Sequence, residues 1–483
     1  MKIKEIVQTT PNFQVLSEDE IERIYFDALG VIESEGARVK SRPALDLLEN
    51  SQALITEGDL VRIPAVLVER ALRAHPGKIA LIGRTRKWYV RLQKDELSFG
   101  AGPVYPLAPP DDETAGGQSV YDQVYNTARL VDGLAHFDFI TGPLNRSSEN
   151  AAAWNLSHVI AMLQATKKPL LLSSVDANEL HRLWQMGSRV CGGEDELRLG
   201  PLFAEYLEID SPLTLSAAAA EKLLFCAEKQ IPCVCASRVI SGVTAPATIA
   251  GMLVQTLAET MLVSVLSYLQ KPGMPLIRGG VASVPHPSGQ GCSFGAPEMF
   301  LSAAANSDIS KWLGLGMLYP AGITDAGSLG QDAGSDLTAG LFYGFLSGAD
   351  MIYGSGLINS GHTACLDAMV MCNEIIEMIK HIGKGISTGE EYLAIDLIES
   401  VGPGGEYLSQ DHTYEHWQNW FRPRLGSRST YDNWSAAGKK TMKDRAAEER
   451  RKILDEHERT PMEDAVVNDL HALAAEKDQE GAS

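Results

Sequence analysis

From about residue 120 onward, short apolar runs alternate with longer segments of helical periodicity, and this alternation constrains the fold strongly. The runs are apolar on both faces, as expected of parallel strands covered by helices on each side. We predict strands within HFDFITG (136–142), KPLLLSS (168–174), LTLS (213–216), IPCVCAS (231–237), MPLIRGG (274–280), LGLGMLYPAG (313–322) and ADMIYGSG (349–356). Seven or eight such units without a polar edge strand favour an α/β fold of the TIM (β/α)8 barrel type. A doubly wound open sheet is the alternative.

The chain is long enough for one barrel with additions at both ends. Its 483 residues exceed the size of a typical (β/α)8 barrel. We predict an N-terminal helical extension over residues 1–90, a barrel catalytic domain over 91–387 and a C-terminal helical extension over 388–483. Helical periodicity supports helices over 17–35, 43–50, 64–74 and 439–457.

Charge and apolar patterning exclude several classes of partner. The formal net charge of −20 argues against nucleic acid or an anionic membrane as a partner. The apolar run Met252–Leu269 contains Gln255 and Glu259, so we predict a buried helix and no membrane span. Seven cysteines, an odd number mostly in apolar surroundings, indicate free thiols in a reducing cytoplasm, since no apolar leader is apparent.

No metal-binding pattern stands out. Cys226, Cys233 and Cys235 match no common zinc spacing, and we interpret them as core cysteines. His412 and His416 lie four residues apart without the glutamate of HExxH, which favours a surface or interface role. No P-loop, G-x-G-x-x-G helix start or G-x-S-x-G nucleophile elbow is present.

Small and polar residues gather where the predicted strands end, the edge of a barrel that carries active sites. These ends include Ser173-Ser174, Ser237-Arg238, Gly279-Gly280, Tyr319 and Ser355. Further motifs follow in order: SFGAG (98–102), FGAPE (294–298), AGITD (321–325), IYGSG (352–356), VGPGGEYLSQDHT (401–413) and Trp434 to Gly438.

In their order and spacing, these motifs resemble the trimethylamine methyltransferase family, over most of the chain. They are most similar to the non-pyrrolysine branch, the corrinoid-dependent quaternary amine (betaine) methyltransferases. The resemblance implies a TIM barrel that moves a methyl group from an amine to Co(I). That cobalt belongs to a corrinoid (cobalamin) supplied by a partner corrinoid protein. We also expect a homo-oligomer.

One departure from the family pattern bears on the substrate. The trimethylamine enzyme carries pyrrolysine near the turn that here reads AGITD, and Ile323 occupies that position to within one residue. The resemblance therefore implies a betaine substrate, with glycine betaine as the first candidate. A different methylated substrate, such as a methylated aromatic or tertiary amine, is the alternative enzyme function. A non-catalytic betaine-binding protein is the alternative from another class.

Such a reaction needs orientation and exclusion of water more than acid or base catalysis, so we predict no acid, base or covalent catalytic residue. Aromatic faces suit a quaternary cation, and donors suit a carboxylate. The aromatic candidates are Tyr105, Tyr319, Tyr343 and Tyr353. His362, Asn359 and Arg278 are the candidate carboxylate donors. The tyrosines could equally be core residues with satisfied hydroxyls.

A second group of residues is predicted to face the corrinoid. Gly279, Gly280, Gly354 and Gly356 would let a flat macrocycle approach the rim, although they could equally form tight turns. Glu298 and Asp325 would orient polar groups there, or cap helix N-termini instead.

Overall fold

The computed structural model describes residues 13–92, 96–104, 119–142, 151–289 and 291–476, apart from the side chains of residues 151–154. The helices are α1 (Glu18–Ser34), α2 (Arg42–Glu49), α3 (Ala65–Arg73), α4 (Val120–Gly133), α5 (Ala151–Ala165), α6 (Ala177–Cys191), α7 (Glu194–Leu199), α8 (Ala217–Lys229), α9 (Ile249–Gln270), α10 (Pro297–Leu313), α11 (Gln331–Leu346), α12 (Leu366–Ile382), α13 (Glu390–Leu393), α14 (Ile395–Val401), α15 (Asp411–His416), α16 (Tyr431–Ala436), α17 (Met442–Glu456) and α18 (Asp464–Ala475), with a 3-10 helix at Trp417–Asn419. The strands are β1 (Ala37–Val39), β2 (Leu54–Thr56), β3 (Leu60–Arg62), β4 (Ile79–Ile82), β5 (Tyr89–Leu92), β6 (Ser98–Ala101), β7 (Phe139–Thr141), β8 (Leu170–Leu172), β9 (Phe203–Ile209), β10 (Thr214–Leu215), β11 (Cys233–Ile240), β12 (Leu276–Ser283), β13 (Gly316–Pro320), β14 (Met351–Ser355), β15 (Leu357–Ile358) and β16 (Thr363–Ala364).

Eight parallel strands close into a barrel at the centre of the molecule. Their order is β6, β7, β8, β9, β11, β12, β13 and β14, and β14 pairs with β6 to complete the ring. The predicted TIM barrel is therefore confirmed, and the open sheet is excluded because every barrel strand has two partners.

One predicted strand lies outside this barrel. The run LTLS forms β10, which pairs with β1 in a small sheet of the N-terminal segment. The barrel position belongs instead to β9, whose sequence FAEYLEI contains two glutamates and does not read as an apolar run. Glu205 is nevertheless fully buried, because it accepts hydrogen bonds from Ser174 and lies 3.2 Å from the ammonium group of Lys222.

A β-hairpin fills the N-terminal end of the barrel. Strands β4 and β5 pair antiparallel, and their apolar side chains join the inward-facing residues of the barrel strands in one cluster. The amide of Ile82 donates to the carbonyl of Pro201, just before β9 begins, which fixes the hairpin at this end. The opposite end, where the strands finish, is here named the mouth.

The helices cover the barrel and connect it with both terminal segments. One helix in the described part of the chain, α9, is long and apolar enough to cross a membrane. Its most apolar window is 72% buried inside the protein, where α9 packs against α1, α3 and α8. The predicted buried helix is thus confirmed. Residues 13–92 contain α1–α3 and also five short strands, so this segment is not purely helical.

The hairpin plug should contribute directly to stability. Leu81 is fully buried among the inward-facing residues of the barrel, and Leu81→Ala should lower the free energy of unfolding by about 2–5 kcal/mol because it leaves a cavity. Urea unfolding followed by circular dichroism measures the change. The control Leu54→Ala, at a side chain that is 58% exposed, should change it by less than about 0.5 kcal/mol. Equal effects of the two substitutions would contradict the plug assignment.

Candidate active site

Two tyrosines meet inside the barrel near its mouth. Tyr206 on β9 and Tyr353 on β14 come from strands on opposite sides of the ring. Their hydroxyl oxygens lie 3.0 Å apart, and their ring centroids lie 5.7 Å apart. Burial raises the pKa of Tyr353 to about 12, so its hydroxyl stays protonated at neutral pH. The pair forms an aromatic floor for the mouth.

Two charged residues occupy the next positions toward the open end. Glu208 follows Tyr206 by two residues on β9, so both side chains lie on the same face of the strand. Arg238 follows the inward-facing Ala236 by two residues on β11, and Ala236 pairs with Glu208 across the two strands. Glu208 is half-buried and Arg238 is exposed, and the charges of both act on the pKa of Tyr353. The mouth therefore offers an aromatic floor, a carboxylate and a guanidinium.

Three of these residues were not among the sequence candidates. Arg238 was recognised only as a strand end, while Tyr206 and Glu208 were missed together with β9. The two-residue period of FAEYLEI, which places Ala204, Tyr206 and Glu208 on one face, is the signal that could have identified them.

Asp325 ties together three loops at the rim of the mouth. Its carboxylate accepts from the backbone amides of Phe294 (2.9 Å) and Gly295 (3.0 Å) and from the hydroxyl of Ser293. The hydroxyl of Ser360 also helps to lower its pKa. Burial works to raise the pKa of Asp325, but these hydrogen bonds together outweigh burial and lower it. Asp325 thus stabilises the rim by internal contacts, which is a different role from facing a corrinoid.

The hairpin β15–β16 follows β14 and carries two of the predicted donors. Asn359 and His362 are both exposed at its turn, where the amide of His362 donates to the carbonyl of Asn359 over 3.1 Å. The amide of Asn359 donates to the carbonyl of Ala326, which joins this hairpin to the loop after β13. Both side chains are therefore on the rim and accessible to solvent.

Two other predicted tyrosines face away from the mouth. Tyr319 follows the inward-facing Leu318 directly, so its side chain points to the helical layer, where its hydroxyl donates to the carbonyl of Phe300. Tyr343 on α11 stacks on Phe300 with ring centroids 5.7 Å apart. The prediction that Tyr319 and Tyr343 belong to one cage with Tyr353 is not supported by these positions. Tyr105 lies outside the described residues.

Arg278 also belongs to the helical layer. It is 2% exposed, and its guanidinium donates to the Oδ1 atom of Asn306 over 2.9 Å and to the hydroxyl of Ser310 over 3.1 Å. Burial lowers the pKa of Arg278 to about 10. Its neighbour Ile277 faces the barrel interior, so Arg278 must face outward and does not meet a ligand in the mouth.

Close packing inside the protein accounts for the four predicted glycines. A Cβ at Gly279 would lie 2.8 Å from Cγ1 of Val234, and one at Gly280 would lie 2.0 Å from the carbonyl oxygen of Ser237. Cβ atoms at Gly354 and Gly356 would lie 2.5 Å from Cδ1 of Ile323 and 2.3 Å from Cγ of Met369. Gly280 and Gly354 also have positive φ angles, +106° and +100°. Gly279 and Gly280 lie within β12 and Gly354 within β14, so close packing of the barrel strands, and not a surface open to a macrocycle, explains three of the four; only Gly356, between β14 and β15, lies at a turn.

Two further candidate positions have plain structural surroundings. Glu298 is exposed in the first turn of α10, as expected of an acid at a helix N-terminus. Ile323 is 3% exposed and packs beneath the rim against Gly354 and Gly361. Within the described ranges, no group of three or more His, Cys, Asp or Glu side chains is arranged to hold a metal ion.

The tie at Asp325 should make stability depend on pH. Because its folded pKa is lowered, the ionised carboxylate stabilises the protein above the unfolded value of about 3.9, and this stabilisation is lost as the pH falls through the folded value. Asp325→Asn should therefore lower the free energy of unfolding by about 1 kcal/mol at pH 7, after allowance for solvent screening.

Urea unfolding at several pH values measures this effect. The difference in the free energy of unfolding between Asp325→Asn and the unmodified protein should shrink below about pH 4. Asp332→Asn, at an exposed position in the first turn of α11, is the matched control at pH 7. A difference between Asp325→Asn and the unmodified protein that grows as the pH falls would show that Asp325 does not act as an ionised tie.

Known proteins similar to this chain match it over almost its whole length. The family model for trimethylamine methyltransferase (MTTB) matches residues 1–482. The trimethylamine methyltransferase MttB of Desulfitobacterium hafniense strain DCB-2 is 29% identical over 468 residues, covering 96% of this chain and 94% of the relative. A glycine betaine methyltransferase of Desulfitobacterium hafniense strain Y51 is 24% identical over 476 residues, covering 98% and 99%.

A solved structure shares the fold. The monomethylamine methyltransferase MtmB of Methanosarcina barkeri superposes with a TM-score of 0.50 at 12% identity, covering 92% of this chain and 89% of that structure. Together with the family match over residues 1–482, the closed barrel and its mouth lead to one conclusion. The chain belongs to the trimethylamine methyltransferase (MTTB) family.

Proposed function

We propose that this chain transfers a methyl group from a betaine-type quaternary ammonium compound to the Co(I) corrinoid of a partner protein. Glycine betaine is the first candidate substrate. The observation that carries this proposal is the mouth itself, where Tyr206 and Tyr353 form an aromatic floor beside Glu208 and Arg238. The similarity to a glycine betaine methyltransferase over nearly the full length supports it.

The cationic end of the substrate would lie against the aromatic floor. A quaternary ammonium has no hydrogen-bond donor, so ring faces and a nearby carboxylate are its natural partners. Tyr206 and Tyr353 supply the rings, and Glu208 supplies a negative charge on the same side of the barrel.

Arg238 would bind the carboxylate end. Its planar guanidinium is exposed at the mouth and matches a carboxylate with two parallel hydrogen bonds. His362 and Asn359 on the rim hairpin are further donors within the same face of the barrel. An aromatic floor with both charges suits a zwitterion better than trimethylamine, which has no carboxylate.

The reaction needs no proton transfer from the protein. The carbon–nitrogen bond breaks with its electron pair remaining on nitrogen, which leaves as a neutral tertiary amine. When bound at the mouth, the corrinoid would supply Co(I) as the nucleophile that accepts the methyl group. The task of the chain is to orient one methyl group and to exclude water. The Tyr353 hydroxyl, with its pKa raised to about 12 by burial, suits this positioning role and not that of a base.

The partner would dock on the rim. The loops after β12, β13 and β14 meet at Asp325, so this surface is held in shape before any partner arrives.

We further propose a cytoplasmic location, which the seven free thiols support. A corrinoid methyltransferase for another methylated amine and a non-catalytic betaine-binding protein are the competing functions.

Substrate preference tests the proposal. We expect glycine betaine to be demethylated once, to dimethylglycine, with little or no turnover of trimethylamine, because Ile323 provides neither an electrophile nor a hydrogen bond. Turnover of glycine betaine and of trimethylamine is measured by the loss of Co(I) absorbance from reduced cobalamin and by detection of the demethylated product by NMR. Demethylation of trimethylamine or dimethylglycine as fast as any quaternary amine would contradict activation by the fixed charge. Substrate binding without any loss of Co(I) would indicate a binding protein.

Arg238→Gln should weaken use of a carboxylate-bearing substrate selectively. Hydrogen bonds to charged groups contribute about 1.5–3 kcal/mol, so kcat/KM for glycine betaine should fall about ten- to hundredfold. Choline has no carboxylate. If choline is turned over, kcat/KM of the same variant for choline should stay within about twofold of the value for the unmodified enzyme. Arg23→Gln, at an exposed arginine of α1 outside the barrel, is the matched control. Equal losses for both substrates would show that Arg238 does not bind the carboxylate.

A further inference from the structure

Residues 386–420 form a segment, here named the arm, that buries none of its residues within the chain. It contains α13, α14, α15 and the 3-10 helix, and all of its residues are half-buried or exposed. Large apolar side chains along it are strongly exposed, among them Ile386 (91%), Leu408 (86%), Tyr414 (70%) and Trp420 (66%). An exposed apolar surface of this kind marks an interaction site.

The hydrogen bonds and salt bridges of the arm stay within the arm, and the guanidinium of Arg422, just beyond it, lies 4.2 Å from the ring centroid of Trp417. His416 lies 4.0 Å from Glu391, its ring packs on that of Tyr392, and the hydroxyl of Thr413 donates to the carbonyl of Tyr407. Across the described ranges, no hydrogen bond or salt bridge joins residues 386–420 to another part of the chain. Isolated helices shorter than about 12–15 residues are marginal in water, so these short helices need an external surface for support.

The points where the arm is attached lie away from the mouth. It starts beyond the C-terminal end of α12, and because α12 runs back along the barrel from the end of β14, that point is on the side opposite the mouth. The chain is fixed again where the carboxylate of Glu374, within α12, accepts from the amides of Arg424, Leu425 and Gly426. A corrinoid protein docking over the mouth would therefore not cover the points where the arm is attached.

Charge indicates what covers the arm. Residues 386–420 contain seven Asp or Glu and no Lys or Arg, whereas residues 421–452 contain ten Lys or Arg and four Asp or Glu. The two neighbouring segments thus have opposite net charge. In a two-fold contact the same patch occurs on both partners, so a patch with an acidic half and a basic half is complementary to itself.

We propose that the arm packs on a second copy of this chain, with its acidic residues facing the basic segment 421–452 of that copy. The apolar character of the arm fits a permanent contact, since obligate interfaces are more apolar than those of partners that must dock and leave. His412 and His416, which match no metal pattern, lie within this interface.

The test compares the full-length protein with a triple variant, Leu408→Ser, Tyr414→Ser and Trp420→Ser, by sedimentation velocity over a range of concentrations. The unmodified protein should sediment as an oligomer. The dissociation constant of the variant oligomer should be at least about tenfold higher than that of the unmodified oligomer. Aromatic residues at interfaces often contribute the dominant contacts. The matched control replaces three exposed apolar residues elsewhere, Phe26→Ser, Leu54→Ser and Leu199→Ser, and should leave the oligomer intact.

Hydrogen exchange provides the second measurement, and it does not depend on methyl transfer. Amides in α14 and α15 should exchange slowly in the oligomer and rapidly after dilution or in the arm variant, while thermal unfolding of the barrel stays unchanged because no substituted arm residue is buried. A monomer at all concentrations, or an oligomer indifferent to the arm variant, would overturn the proposal. Protection of the arm that appears only when a corrinoid protein is added would overturn it in favour of that partner.

Discussion

The two-residue period of the barrel strands decides which side chains a ligand can meet. Ile277 faces the interior and Arg278 faces the helices; the same holds for Leu318 and Tyr319. In a closed barrel each strand side chain faces one of two environments. An inward side chain lies in the packed core or the mouth, and an outward one lies in the helical layer. The site follows from that constraint, since Tyr206 and Tyr353 meet only because their strands face each other across the ring.

Packing below the mouth keeps the site rigid. The hairpin β4–β5 fills the opposite end, so the inward residues beneath the tyrosines form one apolar cluster without access for water. Above them, Asp325 holds three loops together through hydrogen bonds to a charged acceptor. Preorganisation of this kind matters for methyl transfer, because the reaction depends on the direction from which the methyl group is approached more than on any acid or base.

The two proposed contacts, at the mouth and at the arm, use different surfaces of the molecule. The mouth is polar at its rim and apolar at its floor, as expected where a small charged molecule enters a barrel. The arm begins beyond the C-terminal end of α12 and presents aromatic side chains that its own chain leaves exposed. A corrinoid protein and a second copy could therefore bind at the same time without competing for one surface.

The sequence by itself determined the barrel class, because apolar runs with intervening helices leave few other ways to cover a parallel sheet, and six of the seven predicted runs are barrel strands. It also located Tyr353, His362 and Asn359 at the end of the barrel where the strands finish, since strand ends of a barrel meet on one face. It did not separate Tyr353 from Tyr319, or Arg238 from Arg278, because the direction of a side chain depends on the register of each strand in the closed ring. Strand β9 was hidden for a related reason: Glu205 looks like a surface residue until Lys222 and Ser174 are placed beside it. Only the tertiary structure supplied these partners, and with them the residues that line the mouth.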